Sequence, residues 1–162
     1  MHSAVFFRAV NKEDNVLLAR MIRQVFEEHN APQSGSVFSD PTTDDLFGLF
    51  RKPSSVLWVA VLNGIPVGCC GIYPTDGLGN NCAELVKYYL AESARGQGTG
   101  RHLMEKCISS ARELGYQELY LESMPHFSKA VGIYKKLGFR KLNKPMGNSG
   151  HTSCTIWMLL EL

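Results

Sequence analysis

The sequence predicts an α/β domain built on a mixed β-sheet, and three observations carry that prediction. Asn63-Gly64 lies between two apolar runs, Ser55 to Leu62 and Ile65 to Tyr73. An Asn-Gly pair in that setting is the strongest short-range hairpin signal. A strand-like run, Cys82 to Ala91, is followed by a helical pattern that stops at Gly115 and by the alternating run Glu118 to Glu122. Strand, helix, strand at that spacing is a crossover unit, so the two strands are expected to run parallel. A length of 162 residues suits one domain, residues 1–162, able to bury about two-thirds of its unfolded surface.

The elements follow in order. Val5 to Val10 is a short β-rich run. Asn11 with Asp14 three residues on reads as a helix cap with its capping-box partner. Leu18, Met21, Ile22 and Val25 then repeat at helical spacing, and the helix is expected to end near His29. Residues 31–41 are a loop by composition. Thr42 or Thr43 is expected to cap a short helix through Phe50, ended by Pro53. Gly68 and Gly71 in the return strand of the hairpin signal a bulge or a close backbone approach. Pro74 to Asn81 is a turn-rich loop. In the crossover helix, expected to start near Arg101, Leu103, Cys107, Ala111 and Leu114 form one stripe and Gly115 supplies the stop. Pro125 starts a second helix with Ala130, Ile133, Tyr134 and Leu137 on one face, ended by Gly138. Phe139 to Leu142 and Cys154 to Leu160 read as closing strands joined by a Gly/Asn/Ser loop.

Composition narrows the function classes. Hydrophobic residues are 44% and charged residues 20% of the chain, with a net charge of +2. That balance implies no strong general affinity for nucleic acid or an anionic membrane surface. No apolar run approaches the length of a transmembrane helix, and the N-terminal stretch lacks a secretory cleavage pattern. The five cysteines, Cys69, Cys70, Cys82, Cys107 and Cys154, are odd in number and lie mostly in apolar segments. They read as free thiols of a reducing cytoplasm.

The most informative segment is Arg95-Gly96-Gln97-Gly98-Thr99-Gly100-Arg101, placed between a strand and a helix. Glycines there let the backbone turn sharply and turn its N–H groups outward at a helix N-terminus, which suits a phosphate. Arg95 and Arg101 add cationic charge. A ligand-free glycine turn is the alternative. The spacing is neither the dinucleotide fingerprint nor a P-loop; it is R-x-x-G-x-G. A second segment, Ala130 to Phe139, reads A-x-x-x-Y-x-x-x-G-F. Together and in this order the two segments resemble the GNAT superfamily of acyl-CoA-dependent N-acyltransferases, well from about Val56 to Arg140.

The resemblance implies a GNAT-type mixed sheet and an N-acetyltransferase that moves an acetyl group from acetyl-CoA to an amine by direct attack. It implies that the backbone of Gly96, Gln97, Gly98, Thr99, Gly100 and Arg101 cradles the pyrophosphate. Tyr88, Tyr89 and Leu90 would pair through their backbone with the pantetheine arm, the Leu90 amide facing the thioester oxygen. Tyr134 is the implied general acid, because a phenol stays protonated at neutral pH and can protonate a thiolate. Its other reading is a core tyrosine on an apolar stripe. Glu84 is the implied general base. A carboxylate inside an apolar strand is desolvated and its pKa rises, unless it points to solvent. Glu122 is the alternative base, at a strand's C-terminal end where α/β proteins place ligands. Many relatives carry an asparagine where this chain has Phe127, so that contact is not carried over and a more apolar wall is expected.

For the acceptor, the resemblance points to Glu27–Phe50 and Lys144–Thr152. Glu27, Glu28, Asp40, Asp44 and Asp45 form an acidic cluster suited to a cationic amine, and Glu28, Glu122 and His126 are expected at the acceptor pocket. His151 and Cys154 alone do not make a metal site, and none is expected. Direct attack needs no cysteine nucleophile. A homodimer is compatible with the family. A non-catalytic acyl-CoA sensor on the same fold and an unrelated phosphate-binding α/β module are the competing readings.

Overall fold

The computed structural model describes residues 4–162; the first three residues of the N-terminal stretch discussed above lie outside it. Seven strands form one sheet: β1 Phe6–Ala9, β2 Val56–Leu62, β3 Ile65–Tyr73, β4 Cys82–Leu90, β5 Glu118–Ser123, β6 Arg140–Lys141 and β7 Ile156–Glu161. Their order is β1-β2-β3-β4-β5-β7-β6. Every adjacent pair is antiparallel except β4 and β5, which are parallel as the crossover predicts. The β2–β3 turn has positive φ at both Asn63 (52°) and Gly64 (78°), the two-residue geometry that matches strand twist.

Helices cover both faces. Helix α1, Asn15–Glu28, and the short α2, Leu46–Leu49, lie on one side, where Leu18, Ile22, Phe26 and Leu46 pack on Leu57, Val59 and Val61. Helix α3, Thr99–Glu113, and α4, Ser128–Lys136, lie on the other, where Leu103, Met104 and Cys107 meet Ala60, Cys70 and Ile72. Neighbours along β2 and β3 alternate between the two cores, so these central strands are apolar throughout rather than alternating.

Several expectations shift. Helix α3 starts at Thr99, two residues early, because Gly98 adopts φ 81° and the helix begins directly after it. Leu114 is exposed past the end of α3, and Met104 joins Leu103, Cys107 and Ala111 in the buried stripe. Asp40 and Asp45, not Thr42 or Thr43, cap the turns at Pro41–Asp44 and α2; their carboxylates accept from the N–H groups of Thr42 and Gly48. Thr43 is buried and donates its hydroxyl to the Val37 carbonyl at 2.7 Å. Pro125–Phe127 forms a 3₁₀ turn ahead of α4, and β6 shrinks to two residues.

Asp14 fastens β1 to α1. Its buried carboxylate takes two hydrogen bonds from Arg8, at 2.7 and 2.9 Å, and one from the Asn11 N–H at 2.8 Å. Burial pushes the Asp14 carboxyl up, but the Arg8 and Asn11 bonds outweigh it and hold it below the usual carboxylate range. Asp14→Ala is expected to cost about 2 kcal/mol in urea unfolding at pH 7. The pKa is depressed, so this stability is present above the ordinary carboxylate value and is lost as pH falls through the folded one. The gap between the two proteins should therefore narrow in acid.

Candidate active site

The site begins where two strands part. Strands β4 and β5 pair only at Cys82–Glu118, Ala83–Leu119 and Glu84–Tyr120. Each continues beyond that point, to Leu90 and Ser123. The gap holds a cavity of about 480 Å³, within the range of small-molecule sites. β4 from Glu84 to Leu90 forms one wall, and Glu122 to Met124 with the start of α4 form another. β4 also bulges: Cys69 pairs with Tyr89 and Gly71 with Val86, so Lys87 and Tyr88 together oppose Cys70. Lys87 carries φ 57° there. The Ala91 N–H donates to the Val67 carbonyl of β3 at 2.8 Å. Alternation along the strand therefore turns the Leu90 amide toward the gap.

Arg95 and Gly96 line one end of the cavity, and Gln97, Gly98, Thr99, Gly100 and Arg101 continue from there into α3. The first intrahelical bond is from the His102 N–H to Gly98 at 3.1 Å, so the N–H groups of Thr99, Gly100 and Arg101 have no helical carbonyl to bond. Gly96 and Gly98 have positive φ and open space around them. Gly100 is different: a Cβ there would meet the Tyr88 hydroxyl and Leu90, so its absence lets α3 sit on β4. Arg95 does not point away freely. It donates to the Leu90 carbonyl at 2.9 and 3.2 Å and pairs with Glu28 at 2.7 Å, which pins the strand end to α1. Arg101 pairs with Glu105 along the exposed face of α3.

Tyr134 projects from α4 into the same cavity. Its ring packs against Tyr88 (centroids 6.0 Å apart) and Phe139 (5.8 Å). Burial pushes its phenol well above the ordinary value, so it holds its proton at neutral pH. The hydroxyl has no protein hydrogen-bond partner among the described residues and is not sealed off, which leaves it directed at the cavity. Tyr88 and Tyr89 point to opposite cores. Tyr89 packs with Phe26 and Phe127 on the α1 side. Phe127 also meets Phe26 and His29, giving the apolar wall expected from that residue.

Glu84 is buried. Burial pushes its carboxyl up to about 7; a hydrogen bond from Thr75 at 2.7 Å opposes this, and nearby Glu122 adds to it. A carboxyl in that range is ionised in part at neutral pH and suits a general base. Glu122 is spoken for: it accepts from Tyr120 at 2.7 Å and from the Ser149 hydroxyl. It lines the cavity, as does the exposed His126.

Glu28, expected at the acceptor pocket, is tied to Arg95 and lies outside the cavity lining. Three more of the acidic cluster are likewise engaged: Asp44 pairs with Arg23, Asp45 caps α2, and Asp40 accepts from Thr42 and pairs with His151 at 3.0 Å. Cys154 lines the cavity, but burial pushes its thiol up to about 12, so no thiolate is at hand. Sequence reasoning missed Lys87, Thr75, Ser149 and Phe26. Lys87 had a visible signal, a second charge in an apolar strand.

Comparison with known proteins agrees with this geometry. The acetyltransferase (GNAT) family profile matches residues 22–139. The chain is 34% identical over 156 residues, covering 96% of itself and 93% of the relative, to the uncharacterized N-acetyltransferase YjgM of Escherichia coli K12. Its fold superposes on an acetyltransferase of the GNAT family from Staphylococcus aureus Mu50, with TM-score 0.85 at 20% identity over 98% of this chain and 99% of that one. It also superposes on the PaiA N-acetyltransferase of Thermoplasma acidophilum, solved in complex with coenzyme A, with TM-score 0.78 at 16% identity over 98% and 99%. The split sheet, the glycine loop and the matched profile lead to one conclusion: the chain belongs to the GNAT family of acetyltransferases and is an acyltransferase enzyme.

Proposed function

We propose that this enzyme uses acetyl-CoA to acetylate a primary amine by direct attack with both substrates bound. The observation that carries the proposal is the meeting of Glu84 and Tyr134 in a single cavity that ends at the glycine loop. The residues present fit the cofactor. Open glycines and free first-turn N–H groups suit a pyrophosphate, and the parted edge of β4 leaves backbone groups for an amide-bearing arm. Acetyl-CoA supplies an acetyl group already activated as a thioester. The chain's residues then have distinct tasks. The Leu90 N–H polarises an acyl oxygen. Glu84 removes a proton from the incoming ammonium, and Tyr134 keeps a proton ready for the sulfur that leaves. Cys154, held as a thiol, does not take part.

The test is calorimetric titration with acetyl-CoA, desulfo-CoA and ATP, followed by a screen of amines for thiol release. Binding of both CoA species but not ATP, with release of thiol, is expected. Gly98→Asp should abolish CoA binding, because a carboxylate at that loop position repels the pyrophosphate. CoA binding without turnover on any amine would identify a sensor, and no CoA binding by folded protein would overturn the proposal.

A further inference from the structure

A second cavity, of about 200 Å³, shares four wall residues with the first: Glu84, Val86, Lys87 and His151. The two spaces therefore adjoin at the bulge of β4. Lys87 sits in that bulge with a left-handed backbone, an uncommon conformation for a residue with a Cβ within a strand. The residue is buried, only 6% exposed. Among the described residues it makes neither an ion pair nor a side-chain hydrogen bond, yet no buried side-chain nitrogen is left sealed without a partner. The ammonium therefore opens onto the cavities it lines.

The nearby acids do not use up this cation. Both Asp40 oxygens are engaged, Oδ1 by the Thr42 N–H and hydroxyl at 2.9 and 2.7 Å, and Oδ2 by His151 at 3.0 Å. Glu84 accepts from Thr75. A buried cation without a contact partner is costly, a cost that an anion arriving from outside would offset. Lys52 adds a second positive charge on the wall of the smaller cavity, its Nζ 5.5 Å from the Tyr73 ring centroid; the carboxylate of Asp76 stands on the same wall, exposed. Burial holds the Lys87 ammonium below its ordinary pKa, and the nearby Asp40 and Glu84 oppose that by favouring the charged form.

We propose that Lys87 receives the carboxylate of the acceptor, which makes the substrate an amino carboxylate such as a free amino acid. Its amine is left on the Glu84 side of the shared wall, facing the larger cavity. This rests on the transfer reading above. It assigns Lys87 to specificity rather than to proton transfer.

The experiment compares each of the twenty amino acids with its own amide. Thiol release from acetyl-CoA is measured, and binding of the same compounds to the desulfo-CoA complex is followed by calorimetry. The expected result is that the best amino acids exceed their amides ~10-fold or more in kcat/KM. Lys87→Met should erase that preference with the KM for acetyl-CoA unchanged, and Lys87→Arg should keep part of it. Amides accepted as well as amino acids, or a preference that survives in Lys87→Met, would overturn the proposal. If Lys87→Met does not fold, the amide comparison in the native protein decides. Amino acids that bind without turnover, with binding lost in Lys87→Met, would refute the transfer reading and keep the carboxylate site. Turnover of simple amines without binding of amino acids would do the reverse.

Discussion

Tyr134→Phe should lower kcat ~10²-fold or more while leaving acetyl-CoA affinity within a factor of about two. The ring packs against Tyr88 and Phe139, and phenylalanine keeps that packing, so the fold and the cavity wall survive the change. What is removed is the hydroxyl, which makes no hydrogen bond among the described residues and so contributes little to stability. Burial keeps its proton in place across the neutral range, and the same burial raises the basicity of a thiolate formed beside it. Steady-state thiol release and a calorimetric titration separate the two parameters. An unchanged kcat would remove Tyr134 from the acid role and return it to the core.

Glu84→Gln is the second large effect. A loss of ~10²-fold in kcat/KM is expected, the usual range for deleting a general base. In the native protein kcat/KM should climb as pH rises through about 7, where the Glu84 carboxyl ionises. The variant should lack that limb. Stability should move the other way. The folded pKa lies above the unfolded one, so the favourable contribution is complete below the ordinary carboxylate value and is lost as pH rises through about 7. The difference corresponds to roughly 3 kcal/mol at alkaline pH. Glutamine carries no charge to desolvate, so the variant should gain Tm over the native protein at pH 8 and not at pH 4. A residue whose removal costs activity and raises stability is the pattern expected of a strained functional group.

The fold was largely legible because its signals are local. Asn63-Gly64 demands its own turn, Gly115 marks the end of α3, and apolar spacing defines α1. The misses are equally physical. Asp40 and Asp45 competed with Thr42 and Thr43 for the same capping task, and side-chain reach in three dimensions settled it. The acidic cluster read as an acceptor site because a sequence does not show which carboxylates already have partners. Glu28 is spent on Arg95, Asp44 on Arg23 and Asp40 on His151, all through contacts distant in the chain.

By itself the sequence determined the order of strands and helices along the chain, the glycine loop that opens α3 and the family resemblance, and it singled out Glu84 and Tyr134 as candidates. Tertiary structure alone decided where these meet. Glu84 and Lys87 are an odd number of residues apart, and a regular strand would send them to opposite faces. The bulge adds one residue to β4, which brings both to a common wall of two cavities. Hydrophobic spacing records which side of a strand is buried. It does not record a register shift between paired strands, and here that shift brings Glu84 and Lys87 to one wall.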